Sequence, residues 1–206
     1  MAELMLFHAL QSRGTVTHWM MEELGEPYDV TMIDLKAGEQ NKPAYRSINP
    51  FGKIPALKYK GQVTTEVAAI CAFVADEFPK AKLNIPAGDP LRGPYLHWLV
   101  FNAGQIEPAL MDVKFPRQPA PPVTAVGNRA MDEVLDVVEA QLRGKTYLMG
   151  ERFTAADVVT GSGLRWGMMF GAIPKRDSIV AYVERLAARP AFKRAEEKDA
   201  GLAKKA

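Results

Sequence analysis

The sequence predicts a two-part chain, in which a small mixed α/β sheet is followed by an all-helical region. In the first 78 residues, short apolar runs alternate with turn residues and helical patterns, whereas further along apolar residues recur at helical spacing. Between these parts, residues 80–92 contain two prolines, a glycine and an aspartate in close succession, which is typical of a linker. We therefore predict an α/β domain over residues 1–79, a linker over 80–92 and a helical domain over 93–206.

The first part has the predicted order βαβαββα. Residues 4–8 and 28–35 have the apolar pattern of strands, and a helix over 16–24 joins them and ends at Gly25. So short a strand–helix–strand unit predicts two parallel strands. The remaining elements are a short helix within 36–46, antiparallel strands over 56–59 and 62–64 around a turn at 60–61, and a helix that begins near residue 66 and ends before residue 79. The result is a mixed four-stranded sheet.

The second part reads as helices throughout. Thr154 with Asp157 three residues later forms a capping box, which predicts a helix start and is a folding feature rather than a binding site. The charged tail over 195–206 is expected to fray. Apolar residues at helical spacing predict helices over 95–111, 123–142, 158–170 and 179–188.

Composition excludes several classes of protein. Lys and Arg number 26 against 24 Asp and Glu, so the charge is too balanced for a nucleic-acid binder. We expect no membrane span and no signal peptide, because no apolar run has the necessary length and the N-terminus has no basic region. The single cysteine, Cys71, excludes an internal disulfide, a redox pair of cysteines and a cysteine metal cluster. We expect a reducing cytoplasm and no metal site.

Two stretches could bind an extended, zwitterionic ligand. Pro55 stands at the entrance of a strand, and a cis bond before it would leave the N–H and C=O of Ile54 free to pair with such a ligand. A trans proline in an ordinary loop is the alternative. Glu66 lies in the first turn of a helix, where it could hold an ammonium group while the N–H of Val67 binds a carboxylate. Simple stabilisation of the helix is the alternative role of Glu66.

A third stretch could activate a thiol. The hydroxyl of Ser12 lies between the first strand and the first helix, where it could donate to an anion held at the helix N-terminus. A donor hydroxyl, the nearby Arg13 guanidinium and the helix dipole could together lower the pKa of a thiol from near 8.5 by about one or two units. The alternative is that Ser12 or Thr15 only caps the helix.

These stretches, in this order and spacing, resemble the cytosolic glutathione transferase family, in particular bacterial members with an active-site serine. The match covers most of the chain. The stretches that carry it are residues 6–25, the loop over 49–57, the motif over 65–70 and the helix start over 153–157.

The resemblance implies a thioredoxin-like first domain and a second-substrate site formed by the helical domain. Ile54, shaped by cis Pro55, would pair with the cysteinyl part of glutathione. Glu66 would hold the γ-glutamyl ammonium, and the Val67 N–H would hold its carboxylate. The family usually has Ser or Thr where Val67 stands, so the hydroxyl contact is absent. Lys53 would bind the glycyl carboxylate.

Further roles follow from the same resemblance. Ser12 stands where serine-type members place the residue that donates to the thiolate, which makes it the expected catalytic residue. Phe101 and Asn102, on the first helix of the second domain, are expected to face the second-substrate pocket. Phe51 projects from the loop that some members insert into a partner subunit, so a homodimer is implied. Cys71 is expected to be a buried core residue.

The leading hypothesis is therefore an enzyme that transfers an alkyl or aryl group to the sulfur of glutathione, as in detoxification. Glutathione would be a co-substrate rather than a permanently bound cofactor, and its partner a small hydrophobic electrophile. One rival is a non-catalytic glutathione-binding or scaffolding protein with the same fold. Another is a glutathione-dependent disulfide reductase or peroxidase in which glutathione supplies the thiols.

Overall fold

The computed structural model describes residues 3–204. The chain divides into two compact units, one formed by Met1–Leu83 with Arg189–Ala206 and the other by Asn84–Ala188. The division after residue 83 falls within the predicted linker. The last 18 residues, however, belong to the first unit and not to the helical domain predicted over 93–206. No helix in the described range 3–204 is both long enough and apolar enough to cross a membrane.

The first unit is built on a mixed four-stranded sheet. Its strands are β1 (Leu4–His8), β2 (Tyr28–Met32), β3 (Ala56–Tyr59) and β4 (Gln62–Thr65). The sheet order is β2-β1-β3-β4; β1 and β2 are parallel, and the other two pairs are antiparallel. The predicted order βαβαββα and the predicted thioredoxin-like architecture are thus confirmed.

Three helices connect these strands and follow them. They are α1 (Gly14–Leu24), α2 (Pro43–Arg46) and α3 (Val67–Glu77). Helix α1 ends where predicted: Gly25 adopts a left-handed φ of 73° and donates its N–H to the carbonyl of Met21. One core cluster of this unit contains Phe7 and Ala56 from the sheet together with Ile33 and Tyr45 from the connections.

The regular secondary structure described in the second unit is helical, as predicted, apart from isolated β-bridges within residues 147–152. Its helices are α4 (Arg92–Phe101), α5 (Glu107–Lys114), α6 (Met131–Leu142), α7 (Ala155–Met169) and α8 (Asp177–Ala187). A π-helical stretch, Asn102–Ile106, joins α4 to α5. Most of α7 is buried, and its glycines allow this packing: a Cβ added at Gly161 would overlap the side chain of Leu186.

The predicted helix over 123–142 is wrong in its first third, because α6 begins only at Met131. The preceding residues form a short 3₁₀ turn and then extended chain. Gly127 is a poor helix former, and its carbonyl accepts a hydrogen bond from Gln105 at 2.8 Å. The Asn128 amide donates to Asp112 at 3.0 Å. These contacts with the preceding helical segment hold the chain out of a helix.

The prediction of a frayed tail over 195–206 is also wrong for the residues that the structure describes, whereas positions 205 and 206 lie outside them. Residues Pro190–Ala203 form a fourteen-residue helix, α9, whose first residue is a proline as the first turn permits. Arg189 donates to both carboxylate oxygens of Glu23 on α1, at 2.6 and 2.8 Å. Arg194 and Lys198 both donate to Glu22. Lys198 of the predicted tail, together with Arg189 and Arg194 just before it, thus pairs with two glutamates whose side chains are largely buried.

Candidate functional site

The loop before β3 carries a cis peptide bond between Ile54 and Pro55. Its conformation is held from the side, because the hydroxyl of Tyr45 and the amide of Asn49 each donate to the carbonyl of Lys53 at 2.7 Å. Tyr45 and Asn49 are both only 2% exposed. Burial raises the pKa of Tyr45 to about 12, so its hydroxyl keeps its proton and remains a donor at neutral pH.

Ile54 presents its main chain at this loop. Among residues 3–204, neither its N–H nor its C=O has a hydrogen-bond partner. Its half-buried side chain packs against the cluster of Phe7 and Ala56. The side chain therefore anchors the residue while the peptide groups remain available to an extended ligand.

Helix α3 begins with an unusual residue. Glu66 has φ 67° and ψ 122°, a backbone conformation that residues other than glycine rarely adopt. The residue is exposed. No side chain caps this helix. The first N–H groups of α3, beginning with Val67, therefore point out of the helix end without an intrahelical acceptor. Backbone strain of this kind is concentrated at functional sites.

The sheet register brings these two features together. Ala56, which directly follows Pro55, pairs with Thr65, which directly precedes Glu66. The loop with the free peptide groups and the uncapped helix start are thus neighbours on adjacent strands. The register thus places the partly exposed Ile54 near Glu66 and Val67, with the exposed Lys53 beside Ile54, whereas Pro55 itself is buried.

Ser12 lies at the start of α1. Its hydroxyl donates to the carbonyl of Ala9 at 2.6 Å and accepts the N–H of Gly14 at 3.0 Å. The Thr15 hydroxyl donates to the carbonyl of Ser12 at 3.0 Å. In this arrangement the Ser12 hydroxyl supports the turn before the helix, as the alternative capping role would require.

Gly14 brings this turn against the loop, a role that we did not predict. A Cβ at this position would lie 2.7 Å from Nδ1 of His8, 3.0 Å from the Ser12 oxygen and 3.2 Å from the Ile54 side chain. Only glycine at this position lets the start of α1 lie so close to His8, Ser12 and Ile54. In the sequence, a glycine at the start of a helix is only a weak sign of such a close approach. The hydrogen bonds from Tyr45 and Asn49 to the Lys53 carbonyl follow no recognisable sequence pattern.

Any thiol chemistry here depends on a thiol brought by a ligand. Cys71 is fully buried in α3, and this burial raises the pKa of its thiol far above the ordinary value. The thiol of Cys71 is therefore neither accessible nor ionised at neutral pH.

The predicted second-substrate residues lie in the interior of the second unit. Phe101 is 6% and Asn102 is 7% exposed. The ring of Phe101 packs 4.6 Å from that of Trp98, and the Asn102 amide donates to Glu107 at 3.0 Å. The π-helical stretch begins at Asn102, and such stretches are frequent at functional sites.

A cavity of about 390 Å³ lies elsewhere in the second unit. It is bounded by α5, by the start of α6 and by the irregular segment between them, and Asp112, Val113, Val123 and Met131 are among its lining residues. This cavity was not predicted, because the apolar spacing over 123–142 indicates a helix across much of that segment.

The fold and these features define a class of protein with a thioredoxin-like unit, a cis-proline loop beside an uncapped helix, and an all-helical unit. Two family models match the chain: Glutathione S-transferase, N-terminal domain, over residues 14–77, and Glutathione S-transferase, C-terminal domain, over residues 105–190. The chain belongs to the glutathione S-transferase family.

Individual relatives agree with this assignment. Glutathione S-transferase F10 of Arabidopsis thaliana is 31% identical over 160 residues, which cover 73% of each chain. The crystal structure of a glutathione transferase from Methylococcus capsulatus has a TM-score of 0.80 and 29% identity, and covers 96% of this chain and 98% of that one. The fold is also similar to that of a glutathione transferase homologue from Sulfitobacter, crystallised with bound glutathione, with a TM-score of 0.77 and 24% identity over 96% of this chain and 99% of that one.

Proposed function

We propose that this protein is a glutathione transferase that activates the thiol of glutathione for attack on a small hydrophobic electrophile. The observation that carries the proposal is the register between Ala56 and Thr65, which sets the free peptide groups of Ile54 beside the uncapped, strained start of α3. Glutathione is an extended tripeptide with an ammonium and a carboxylate at one end, so it matches both features at once.

In the proposed complex, glutathione lies antiparallel to the segment before β3. Its cysteinyl peptide group pairs with Ile54, its γ-glutamyl ammonium pairs with Glu66, and its γ-glutamyl carboxylate accepts the N–H of Val67. Lys53 binds the glycyl carboxylate as a point charge, since its side chain is exposed and only its carbonyl is engaged within the loop.

The thiol then lies near Ser12. To donate to the thiolate, the Ser12 hydroxyl turns away from the Ala9 carbonyl, and the positive end of α1 adds to the stabilisation. The proton of the thiol leaves to solvent. The thiolate forms a bond to the electrophilic carbon, and the leaving group departs with the electron pair of the broken bond.

Phe101 and Asn102 are proposed to border the second-substrate pocket. Phe101 is suited to shaping an apolar pocket because it is a buried aromatic residue. Phe51, 77% exposed at the tip of its loop, is proposed to insert into a second copy of the chain in a homodimer. The lone, buried Cys71 suits a reducing compartment, for which we propose the cytoplasm.

Ser12→Ala tests the mechanism. We expect turnover with a nitroaryl halide to fall at least tenfold, and the pKa of the bound thiol, followed by thiolate absorbance in the ultraviolet, to rise. Glutathione affinity measured by calorimetry should change little. Ser47→Ala is the matched control, because the Ser47 hydroxyl makes a similar bond to the carbonyl three residues earlier, at 2.9 Å. Unchanged turnover and thiol pKa in Ser12→Ala would reduce Ser12 to a supporting role in the turn.

A non-catalytic glutathione-binding protein is the second candidate. Two observations favour it: Val67 has no hydroxyl for the ligand, and the Ser12 hydroxyl is already bonded within its own turn. Retention on a glutathione column without turnover of several electrophile classes would support this candidate. The absence of both retention and heat on titration with glutathione would reject both functions.

A further inference from the structure

Three potential metal ligands meet in the first unit. His8 is the last residue of β1, His18 lies in the middle of α1, and Asp199 lies near the end of α9. One nitrogen or oxygen atom from each lies within 4.8 Å of the other two. Since the three residues are far apart in sequence, only folding brings them together.

The spacing of these atoms suits a metal ion. Asp199 Oδ1 lies 2.5 Å from His18 Nδ1 and 3.0 Å from His8 Nε2. Donor atoms around a tetrahedral Zn²⁺ lie about 3.3 Å apart, because bonds from zinc to nitrogen or oxygen are about 2.0–2.2 Å long. The two separations from Asp199 Oδ1, 2.5 and 3.0 Å, are shorter than this distance. The 4.8 Å within which all three ligand atoms lie is longer. Side-chain rotations that move these atoms by about 1 Å would therefore let a zinc ion bind all three at its usual bond lengths.

His8 supplies an independent observation. Its side chain is fully buried, and neither of its ring nitrogens has a hydrogen-bond partner among the described residues. The contact between Nε2 and Asp199 has the length but not the direction of a hydrogen bond. Buried polar atoms in proteins are nearly always paired. A coordinate bond from Nε2 to a metal ion would supply the missing partner.

The local charge also favours a cation. Asp199 is the acidic member of the cluster, and both histidines contact the same carboxylate oxygen, Oδ1. The basic side chains of Arg194 and Lys198, on the same helix, are paired with Glu22. These two cations therefore do not compete with a metal ion for the Asp199 carboxylate.

We propose that His8, His18 and Asp199 form a zinc-binding site that fastens α9 to β1 and α1. Imidazole and carboxylate together are ligands that Zn²⁺ accepts readily. Three protein ligands leave a fourth position for water, and the side chain of Asp199, 17% exposed, provides an entry path. The site requires neither glutathione nor Ser12, so it stands or falls independently of the transferase function.

The first test uses untagged, full-length protein stripped of metal with a chelator. Calorimetric titration with Zn²⁺ at pH 7.5 should show one ion per chain with a micromolar or lower Kd, and zinc should raise the melting temperature. Titration with Co²⁺ should give visible d–d absorption without the ultraviolet band of a thiolate ligand. The absence of saturable binding would overturn the proposal and leave the cluster as a hydrogen-bonded histidine–aspartate group.

Variants locate the ion. Asp199→Asn should weaken zinc binding at least tenfold, whereas Glu197→Gln, the same change of charge at an exposed position of α9, should leave it unchanged. His18→Gln repeats the test from α1, with folding of each variant checked by circular dichroism. Binding unaffected by Asp199→Asn or His18→Gln would overturn the proposal. If these variants do not fold, X-ray absorption of the zinc-loaded wild type decides: two histidine ligands support the site, and fewer contradict it.

Discussion

The N-termini of α7 and α3 differ in how their first backbone N–H groups are satisfied. At α7, Thr154 and Asp157 form a complete capping box, and the Asp157 carboxylate also accepts the N–H of Leu148 at 2.8 Å and the hydroxyl of Tyr182 at 2.9 Å. At α3, no side chain caps the helix, and Glu66 holds an exposed carboxylate on a strained backbone.

The difference separates a stabilising helix end from one available to a ligand. The donors around Asp157 are buried and all their bonds are made within the protein, so this end of α7 contributes to stability and offers nothing to a ligand. The first N–H groups of α3 lack such acceptors. The strained backbone of Glu66 is unfavourable by itself and persists because the surrounding structure stabilises it. Substitutions at the two ends should therefore affect different properties.

The largest effect is expected from Asp157→Ala. It would leave several buried donors without an acceptor, at about 1–3 kcal/mol each, so the free energy of unfolding should fall by about 3 kcal/mol or more. Denaturant unfolding monitored by circular dichroism measures the loss. Asp177→Ala, in the first turn of α8 and exposed, is the control and should cost less than about 1 kcal/mol. Equal losses in the two variants would contradict the structural role of Asp157.

Glu66 should show the opposite behaviour. Glu66→Gln should weaken glutathione binding by about 10–100-fold, because it removes one charge-assisted pair, and should hardly change stability. Glu66→Gly should also lose affinity but raise the free energy of unfolding by about 1 kcal/mol, since glycine adopts positive φ without strain. Calorimetry with glutathione and denaturant unfolding measure the two quantities. Glu77→Gln, at the other end of α3, should leave affinity unchanged.

Val67→Ser sharpens the same contrast by adding a hydroxyl at the open helix end. We expect glutathione affinity to rise by a factor of about 3–10, which corresponds to one neutral hydrogen bond. Val67→Ala is the matched control, as it removes the same methyl groups without adding a donor. Equal affinities for the serine and alanine variants would show that the ligand carboxylate does not reach this side chain.

The smallest effect concerns pH and contrasts Asp157 with Glu22. Burial raises the pKa of Asp157, although its hydrogen bonds oppose the rise. Burial acts in the same direction on Glu22, but hydrogen bonds from Lys198, Tyr28 and Arg194 outweigh it and lower its pKa below 4.5. The stabilisation by Glu22 is therefore complete above pH 4.5 and is lost as the pH falls through the lower, folded-state pKa.

Acid should accordingly loosen α9 before it affects the start of α7. Hydrogen exchange of both helices between pH 7 and pH 3, corrected for intrinsic rates, measures this order. Glu22→Gln should make the exchange of α9 much less dependent on pH. Parallel loss of protection in α7 and α9 would show instead that acid unfolds both units together.

Much of this architecture was predictable because it follows from local patterns. Strand β1 and the hairpin of β3 and β4 have the predicted bounds to within one residue, since apolar runs and the turn at Lys60 and Gly61 mark them directly. The capping box of Thr154 and Asp157 is also local, with partners three residues apart. The predicted residues Ile54 and Glu66 fall on one surface because the hairpin brings them together.

Contacts between distant residues were not predictable from such patterns. Helix α9 looked like a solvated tail because the glutamates that pair with its cations lie more than 160 residues away on α1. The burial of Asn102 and the approach of Gly14 to Ile54 depend on how neighbouring elements pack. The cluster of His8, His18 and Asp199 likewise has no counterpart in the spacing of the sequence.

The sequence by itself determined the βαβαββα order of the first unit, the proline at the entrance of β3 and the carboxylate at the start of α3, because each depends on residues a few positions apart. Tertiary structure alone decided that the last helix belongs with the first unit, that Phe101 and Asn102 are buried, and that two histidines meet an aspartate. The physical reason is that a buried charge or polar group is stable only with its partner, and that partner can lie anywhere along the chain.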